Sequence, residues 1–343
     1  MSRIGLNNHK VMSFPTSDHH DDITDVPGIR VGNAHDEDSK TGVTVIIPPS
    51  NGAPAGLHVG GSAPSTRQMD SLRPLHVVDR VHGICLCGGS AFGLDAAGGV
   101  LAYLEEKGVG FQVVGRTIPI VPAAAIFDLN VGNGSIRPDA AMGRRACENA
   151  FEGPVTQGSV GAGVGASVGK LFGIERAMKG GLGSASCRSG DLVVGGLVVV
   201  NAYGDVIDMQ GNVLAGCRAS STSLEPADSA RLLKEGKVRS RRISVENTTL
   251  AVVAVNARLG KIAASRVAAQ ATLGMAAVIQ PFHSHIDGDL TVVLSVGDKD
   301  ADPNRIGLLA AEVLQRSVIK AVKSADGLGV LPAWKDRGIS LQI

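Results

Sequence analysis

Asn247-Thr248-Thr249 stands immediately before the apolar run Leu250-Ala-Val-Val-Ala-Val255. A polar tripeptide at the mouth of such a run marks the first residues of a buried strand. If the Asn247–Thr248 peptide bond breaks, Thr248 becomes an N-terminus with a hydroxyl and a free α-amine on one residue. That amine, with an unperturbed pKa of roughly 8, can serve as the base for its own hydroxyl. The chemistry is then that of a self-cleaving amide hydrolase. Two plainer readings compete. The tripeptide could be a turn, since Asn and Thr hydrogen-bond to nearby backbone. It also matches a glycosylation acceptor, which needs a secretory route. Met1 to His20 offers only scattered Ile4, Leu6, Val11, Met12 and Phe14, with no continuous apolar core of signal-peptide length. The expected location is cytoplasmic.

A second chemical cluster, His283-Ser-His-Ile-Asp287-Gly288-Asp289, precedes Leu290-Thr-Val-Val-Leu294. Asp-Gly is a hairpin signal. A calcium loop fails for want of further alternating oxygen ligands and a closing Glu. The third reading is a pair of acids that orients and charges a nucleophile on a neighbouring strand, because alternate positions of an extended segment point the same way. His283 and His285 also alternate. With no third ligand apparent they read as surface or supporting histidines, so no metal and no cofactor is expected.

The elements that must hold these residues are those of a large α/β chain. Its 343 residues suffice for one large domain or two ordinary ones. A net charge of +1 and 3% aromatic residues leave no basic patch interleaved with stacking rings, so nucleic acid is not an expected partner. The longest apolar stretches, 192–200 and 250–255, are too short to span a bilayer. Cys85, Cys87, Cys147, Cys187 and Cys217 lack zinc-site spacing and read as small buried side chains in a reducing compartment. The 45 glycines have no fixed period and cluster between strands, which suits close packing of layers.

Along the chain, residues 1–20 read as a polar tail. Strands are predicted at 41–47, 83–87, 191–201, 249–255 and 290–296, and helices at 91–106, 138–151, 261–279 and 303–324. Ser90 is placed to cap the first helix. The strand–Gly88-Gly89-Ser90–helix layout suits an anion, but its spacing matches no nucleotide motif, so no phosphate site is assigned. The 113–127 segment reads as irregular, skirting a cleft. The Gly158–Gly169 loop delivers Lys170, and 218–246 reads as an exposed, charged linker where a chain break is tolerable. This order of elements indicates a mixed α/β sandwich rather than a doubly wound parallel fold.

Several segments together resemble the DmpA-type self-processing aminopeptidases, which include L-aminopeptidase/D-amidase-esterases, β-peptidyl aminopeptidases and nylon oligomer hydrolases. They are Asp25-Val-Pro-Gly-Ile-Arg-Val-Gly32, Cys87-Gly-Gly-Ser-Ala-Phe-Gly-Leu-Asp-Ala-Ala97, Pro122-Ala-Ala-Ala-Ile-Phe-Asp-Leu129, Lys179-Gly-Gly-Leu-Gly-Ser-Ala185, Asn247-Thr-Thr and Asp287-Gly-Asp289. The resemblance implies an α+β fold, a four-layer αββα sandwich of the N-terminal-nucleophile type. It implies a precursor that cuts itself between Asn247 and Thr248 into subunits 21–247 and 248–343, which stay together and assemble into a tetramer of heterodimers.

By the same resemblance Thr248 is the nucleophile. Asp287 and Asp289 match the acidic pair of the nylon-hydrolase branch and would orient and charge-balance the Thr248 ammonium. Lys170 matches a lysine beside the nucleophile that keeps the amine neutral, and Asn201 an asparagine that donates to the reacting carbonyl oxygen. Phe127, Thr249, Ser159 and Gly288 are placed at the substrate pocket. Phe127 departs from the family, whose characterised members commonly carry Tyr, so a phenolic hydroxyl is missing. The implied function is an aminopeptidase or amidohydrolase acting on short peptides or small amides. Alternatives are a 6-aminohexanoate-oligomer hydrolase, a transacylase, and, on the strength of Phe127, an unprocessed binding or scaffold protein.

Overall fold

The structure is a computed structural model that describes residues 19–237 and 247–338. The 1–18 part of the expected tail and the 238–246 part of the expected linker lie outside the described residues. Two sheets face each other. One has the strand order Arg30–Asp36, Thr41–Ile47, Ile84–Cys87, Ala123–Ala125, Ser65–Arg67; the other runs Gly181–Ser189, Leu192–Asn201, Thr248–Ala257, Leu290–Lys299, Ala53–Val59, Arg80–Val81.

Alternation along the strands sorts side chains into three cores. Leu250, Val252 and Ala254 meet Ile46, Leu86 and Ala124 between the sheets. Ala251, Val253 and Val255 point the other way, against helices Lys261–Ala276 and Pro303–Ser324. The outer face of the first sheet packs on helices Ala96–Glu106 and Ala140–Glu148 through Val43, Cys85, Val100 and Ala146. Helix, sheet, sheet and helix layers make the αββα sandwich expected from the sequence. Strand 248–257 is central to the second sheet. It is antiparallel to 192–201, with Asn201 opposite Thr248, and parallel to 290–299, with Leu250 opposite Leu290.

Four local expectations are corrected. The helix expected over 91–106 is two pieces, Ser90–Gly93 and Ala96–Glu106, separated at Leu94-Asp95. Ser90 caps nothing: it sits inside the first turn at a φ of +55°, and its backbone N–H goes to the Ile126 carbonyl. The 113–127 stretch holds a hairpin, Phe111–Val113 with Arg116–Ile118, and then the fully buried strand Ala123–Ala125 inside the first sheet. The three alanines carry no β-branched signal, and burial on both faces overrides their weak strand preference. The stretch from 218 is not all exposed. Arg218 is buried and donates to the carbonyls of Glu175, Ala177, Ser221 and Ser223, and Ser229–Lys234 is helical.

The Gly88-Gly89-Ser90 layout does bind an anion, and the anion is internal. Gly89 N–H donates to Asp128 Oδ1 at 2.7 Å and the Thr41 hydroxyl to Oδ2 at 2.8 Å. Burial still pushes the Asp128 carboxyl up to about 6.

Candidate active site

Thr248 opens its strand on the face that looks between the sheets, two residues before Leu250, and it is buried. Its hydroxyl donates to the Asn247 carbonyl oxygen at 2.5 Å. The backbone N–H of Gly288 donates to the same oxygen at 2.9 Å. The Gly288 N–H is thus placed to stabilise charge on the carbonyl that Thr248 Oγ would attack, as an oxyanion donor does, and the Thr248 hydroxyl, which gives up its proton on attack, lies against the same carbonyl. Gly288 is required there by space. A Cβ at this position would lie 2.6 Å from the Ala63 carbonyl oxygen and 2.7 Å from Thr248 Oγ. Asn247 forms a parallel bridge with Asp287, so the bond of interest enters the sheet beside the acid pair.

Asn201 faces Thr248 across the strand pair and is completely buried. Its Oδ1 accepts from Lys170 Nζ at 2.8 Å and from Ser167 N–H at 3.0 Å, which fixes the amide's orientation; Nδ2 donates to the Phe127 carbonyl at 3.2 Å. Lys170 is buried, and its ammonium also donates to the Asn201 backbone carbonyl at 3.1 Å. The structure thus brings Lys170, Asn201 and Phe127 into one chain of contacts. Phe127 contributes through its backbone, so this link does not need the phenolic hydroxyl that the ring lacks.

The acids are placed by the segments on either side. Asp287 Oδ1 accepts from Tyr203 N–H at 3.3 Å, and Oδ2 accepts from Ser284 N–H at 3.0 Å and from the Ser284 hydroxyl at 2.5 Å. Asp289 Oδ1 accepts from Thr249 N–H at 2.6 Å. Burial and the neighbouring Asp289 charge push Asp287 above the usual carboxylate range. The Ser284 and Tyr203 donors and the Lys170 charge pull it down. Among the described residues neither acid hydrogen-bonds the Thr248 hydroxyl. In the uncut chain they organise the backbone around it.

Two of the residues expected at the pocket make side-chain contacts, or face, away from the Thr248 hydroxyl. Thr249 alternates away from Thr248, toward the helix-side face of Ala251 and Val253, and joins the site only through its N–H. Ser159 turns to the 324–326 turn, donating to the Asp326 carbonyl at 2.8 Å and accepting its N–H at 3.0 Å. Conversely, sequence reasoning did not single out Ser167, Tyr203, Ser284 or the Gly288 N–H. Three of these four act through backbone groups, which leave no mark in side-chain chemistry; Ser284 alone could have been found, three residues before Asp287. Among the described residues no group of three or more His, Cys, Asp or Glu could hold a metal ion, and no helix is long and apolar enough to cross a membrane.

Comparison with known proteins agrees with this architecture. A family model described as Peptidase family S58 matches residues 21–330. An uncharacterized aminopeptidase of Mycobacterium leprae (strain TN) is 36% identical over 345 residues, covering 91% of this chain and 92% of that protein. A 6-aminohexanoate-oligomer endohydrolase of Kocuria sp. (strain KY2) is 29% identical over 313 residues, covering 87% and 85%. The solved structure of a Burkholderia sp. beta-aminopeptidase matches with a TM-score of 0.67 at 21% identity, over 99% of this chain and 98% of that one. An L-aminopeptidase D-Ala-esterase/amidase from Ochrobactrum anthropi, described as a variant of the Ntn hydrolase fold, matches with a TM-score of 0.69 at 18% identity, over 92% and 89%.

Proposed function

Since the chain belongs to peptidase family S58 and is a hydrolase of amide bonds, we propose that it is a self-processing threonine amidohydrolase. It cuts itself between Asn247 and Thr248 and then acts as an aminopeptidase on short peptides or small amides. The observation that carries this reading is the convergence of the Thr248 hydroxyl and the Gly288 N–H on the Asn247 carbonyl oxygen.

In the first reaction Thr248 Oγ adds to the Asn247 carbonyl carbon. The carbon–nitrogen bond breaks, the Thr248 nitrogen takes a proton and becomes an amine, and an ester joins Asn247 to Oγ. Water cleaves the ester, leaving a carboxylate on Asn247 and a free hydroxyl on Thr248. In turnover the amine accepts the hydroxyl proton as Oγ attacks a substrate amide. Asn201 Nδ2 would donate to the developing oxyanion, while Asp289 and Asp287 balance the Thr248 ammonium. The acyl-enzyme then yields to water.

The two pieces, 1–247 and 248–343, stay together on this reading, because strand 248–257 lies between strands of both pieces in one sheet. Assembly of these heterodimers into a tetramer is part of the proposal. So is a cytoplasmic location, supported by five free cysteines, four of them buried. A second reading, hydrolysis of ω-amino-acid oligomers, is favoured by the paired acids Asp287 and Asp289 and by the 6-aminohexanoate-oligomer endohydrolases among the relatives. Aminoacyl anilides against 6-aminohexanoate oligomers separate the two.

Intact mass spectrometry of the wild type beside Thr248→Ala tests the central claim. The expected result is two wild-type fragments, the smaller beginning at Thr248, and a whole mutant chain. Cleavage of Thr248→Ala at the same bond, or a whole wild-type chain after long incubation, overturns it.

A further inference from the structure

Asp289 is held by three donors, and two of them belong to His283. Oδ1 takes the Thr249 N–H; Oδ2 takes the His283 backbone N–H at 3.2 Å and stands 3.0 Å from His283 Nδ1. The Asp289 side chain is 1% exposed. An ionised carboxylate offers only lone pairs, so Nδ1 must carry the hydrogen of this contact. The far side of the ring shows why the other nitrogen does not. Nε2 is buried with no hydrogen-bond partner among the described residues. It is pressed against Gly60, where a Cβ would lie 2.1 Å from it. A proton on Nε2 would be buried there without an acceptor among the described residues, which is costly, so the ring's donor is Nδ1.

The residue is also held under strain. His283 has a φ of +52°, in the left-handed region that non-glycine residues seldom occupy. Stacking on Phe282, with ring centroids 4.0 Å apart, pins the ring in place. A residue kept in that conformation with one nitrogen aimed at a buried carboxylate is doing more than filling space.

We propose that His283 is a positioning residue for the reaction at Thr248. Its Nδ1–H fixes the Asp289 carboxylate so that Oδ1 stays on the Thr249 N–H, and this sets the backbone that carries Thr248 one residue upstream. The proposal rests on Thr248 being the nucleophile.

His283→Ala, His283→Asn and His283→Gln in the full chain test it. Asn tolerates the left-handed conformation and presents an N–H where Nδ1 stands. Gln presents its amide one bond further out. His283→Ala and His283→Gln should process about tenfold more slowly or worse, the order expected for losing a hydrogen bond to a charged group. After processing, kcat should fall similarly while KM stays within about twofold. His283→Asn should recover most of both rates. Should the alanine variant not fold, the Asn and Gln variants decide alone. Wild-type rates in His283→Ala or His283→Gln, or an Asn variant no better than Gln, overturn the proposal while Thr248 chemistry stands. A wild-type chain that never cuts at 247–248 removes the nucleophile and this proposal with it.

Discussion

At the scale of single residues, the site is built as much from main chain as from side chains. Gly288 shows this most clearly, since its N–H and its lack of a Cβ both serve the Asn247 carbonyl. Gly288→Ala keeps the N–H but drives a methyl into Thr248 Oγ and the Ala63 carbonyl. It should slow processing at least a hundredfold, the scale of losing an oxyanion donor, while the chain stays folded by circular dichroism; a gel time course reads the result. Asp287 supplies a second test at this scale. Its carboxyl is held above the ordinary range, so it takes up a proton as the pH falls through that raised value and loses it again above. The uncut chain has no amine at Thr248, so its processing rate cannot carry an amine titration. Processing should therefore decline on acidification between about pH 7 and 4, at higher pH than a free carboxylate near 3.9 would dictate. Asp287→Asn should process slowly and with no such decline, and an unchanged acid limb in that variant would remove Asp287 from the reaction.

At the scale of elements, legibility followed the strength of local pattern. Strands 192–201, 248–257 and 290–299 announced themselves as β-branched runs, and helix 303–324 emerged where it was expected, capped by Asp302 with Pro303 in its first turn. Strand 123–125 did not, because three alanines become strand only by pairing with Ile84–Cys87 and Ser65–Arg67. The nucleophile, the acid pair, Lys170 and Asn201 were legible as candidates from motif resemblance. The Tyr203 and Ser167 donors join segments far apart in the chain, which no local pattern encodes; the His283 contact spans only six residues but needs a left-handed backbone at His283, a conformation that residue type does not announce. The strand that opens with Thr248 is also a packing element. Leu250 is fully buried between the sheets, so Leu250→Ala should cost about 2–5 kcal/mol. Urea unfolding of that change in a Thr248→Ala background, where one uncut chain unfolds, measures it.

At the scale of the whole molecule, one of the two facing sheets draws its strands from both sides of the proposed cut. The strand beginning at Thr248 has a strand from before the cut on one side and a strand from after it on the other, and strand 53–59 pairs beyond that with 290–299. Separating the pieces would strip ladder hydrogen bonds and open two hydrophobic cores at once. The fragments 1–247 and 248–343 should therefore co-elute on size exclusion after processing and part only in denaturant. Elution of the smaller fragment by itself in native buffer would contradict this arrangement.

The parallel pairing of strands 248–257 and 290–299 puts Asp287, Gly288 and Asp289 at the same sheet end as Thr248, although some forty residues separate them along the chain. Parallel neighbours must be joined by a crossover, here the helix Lys261–Ala276. A growing or misfolded chain can thus possess the threonine and still lack the donor that polarises its carbonyl. On the proposed reading, self-cleavage would then act as a checkpoint: the enzyme would be switched on only by a molecule that has finished folding, and a half-made chain would stay inert.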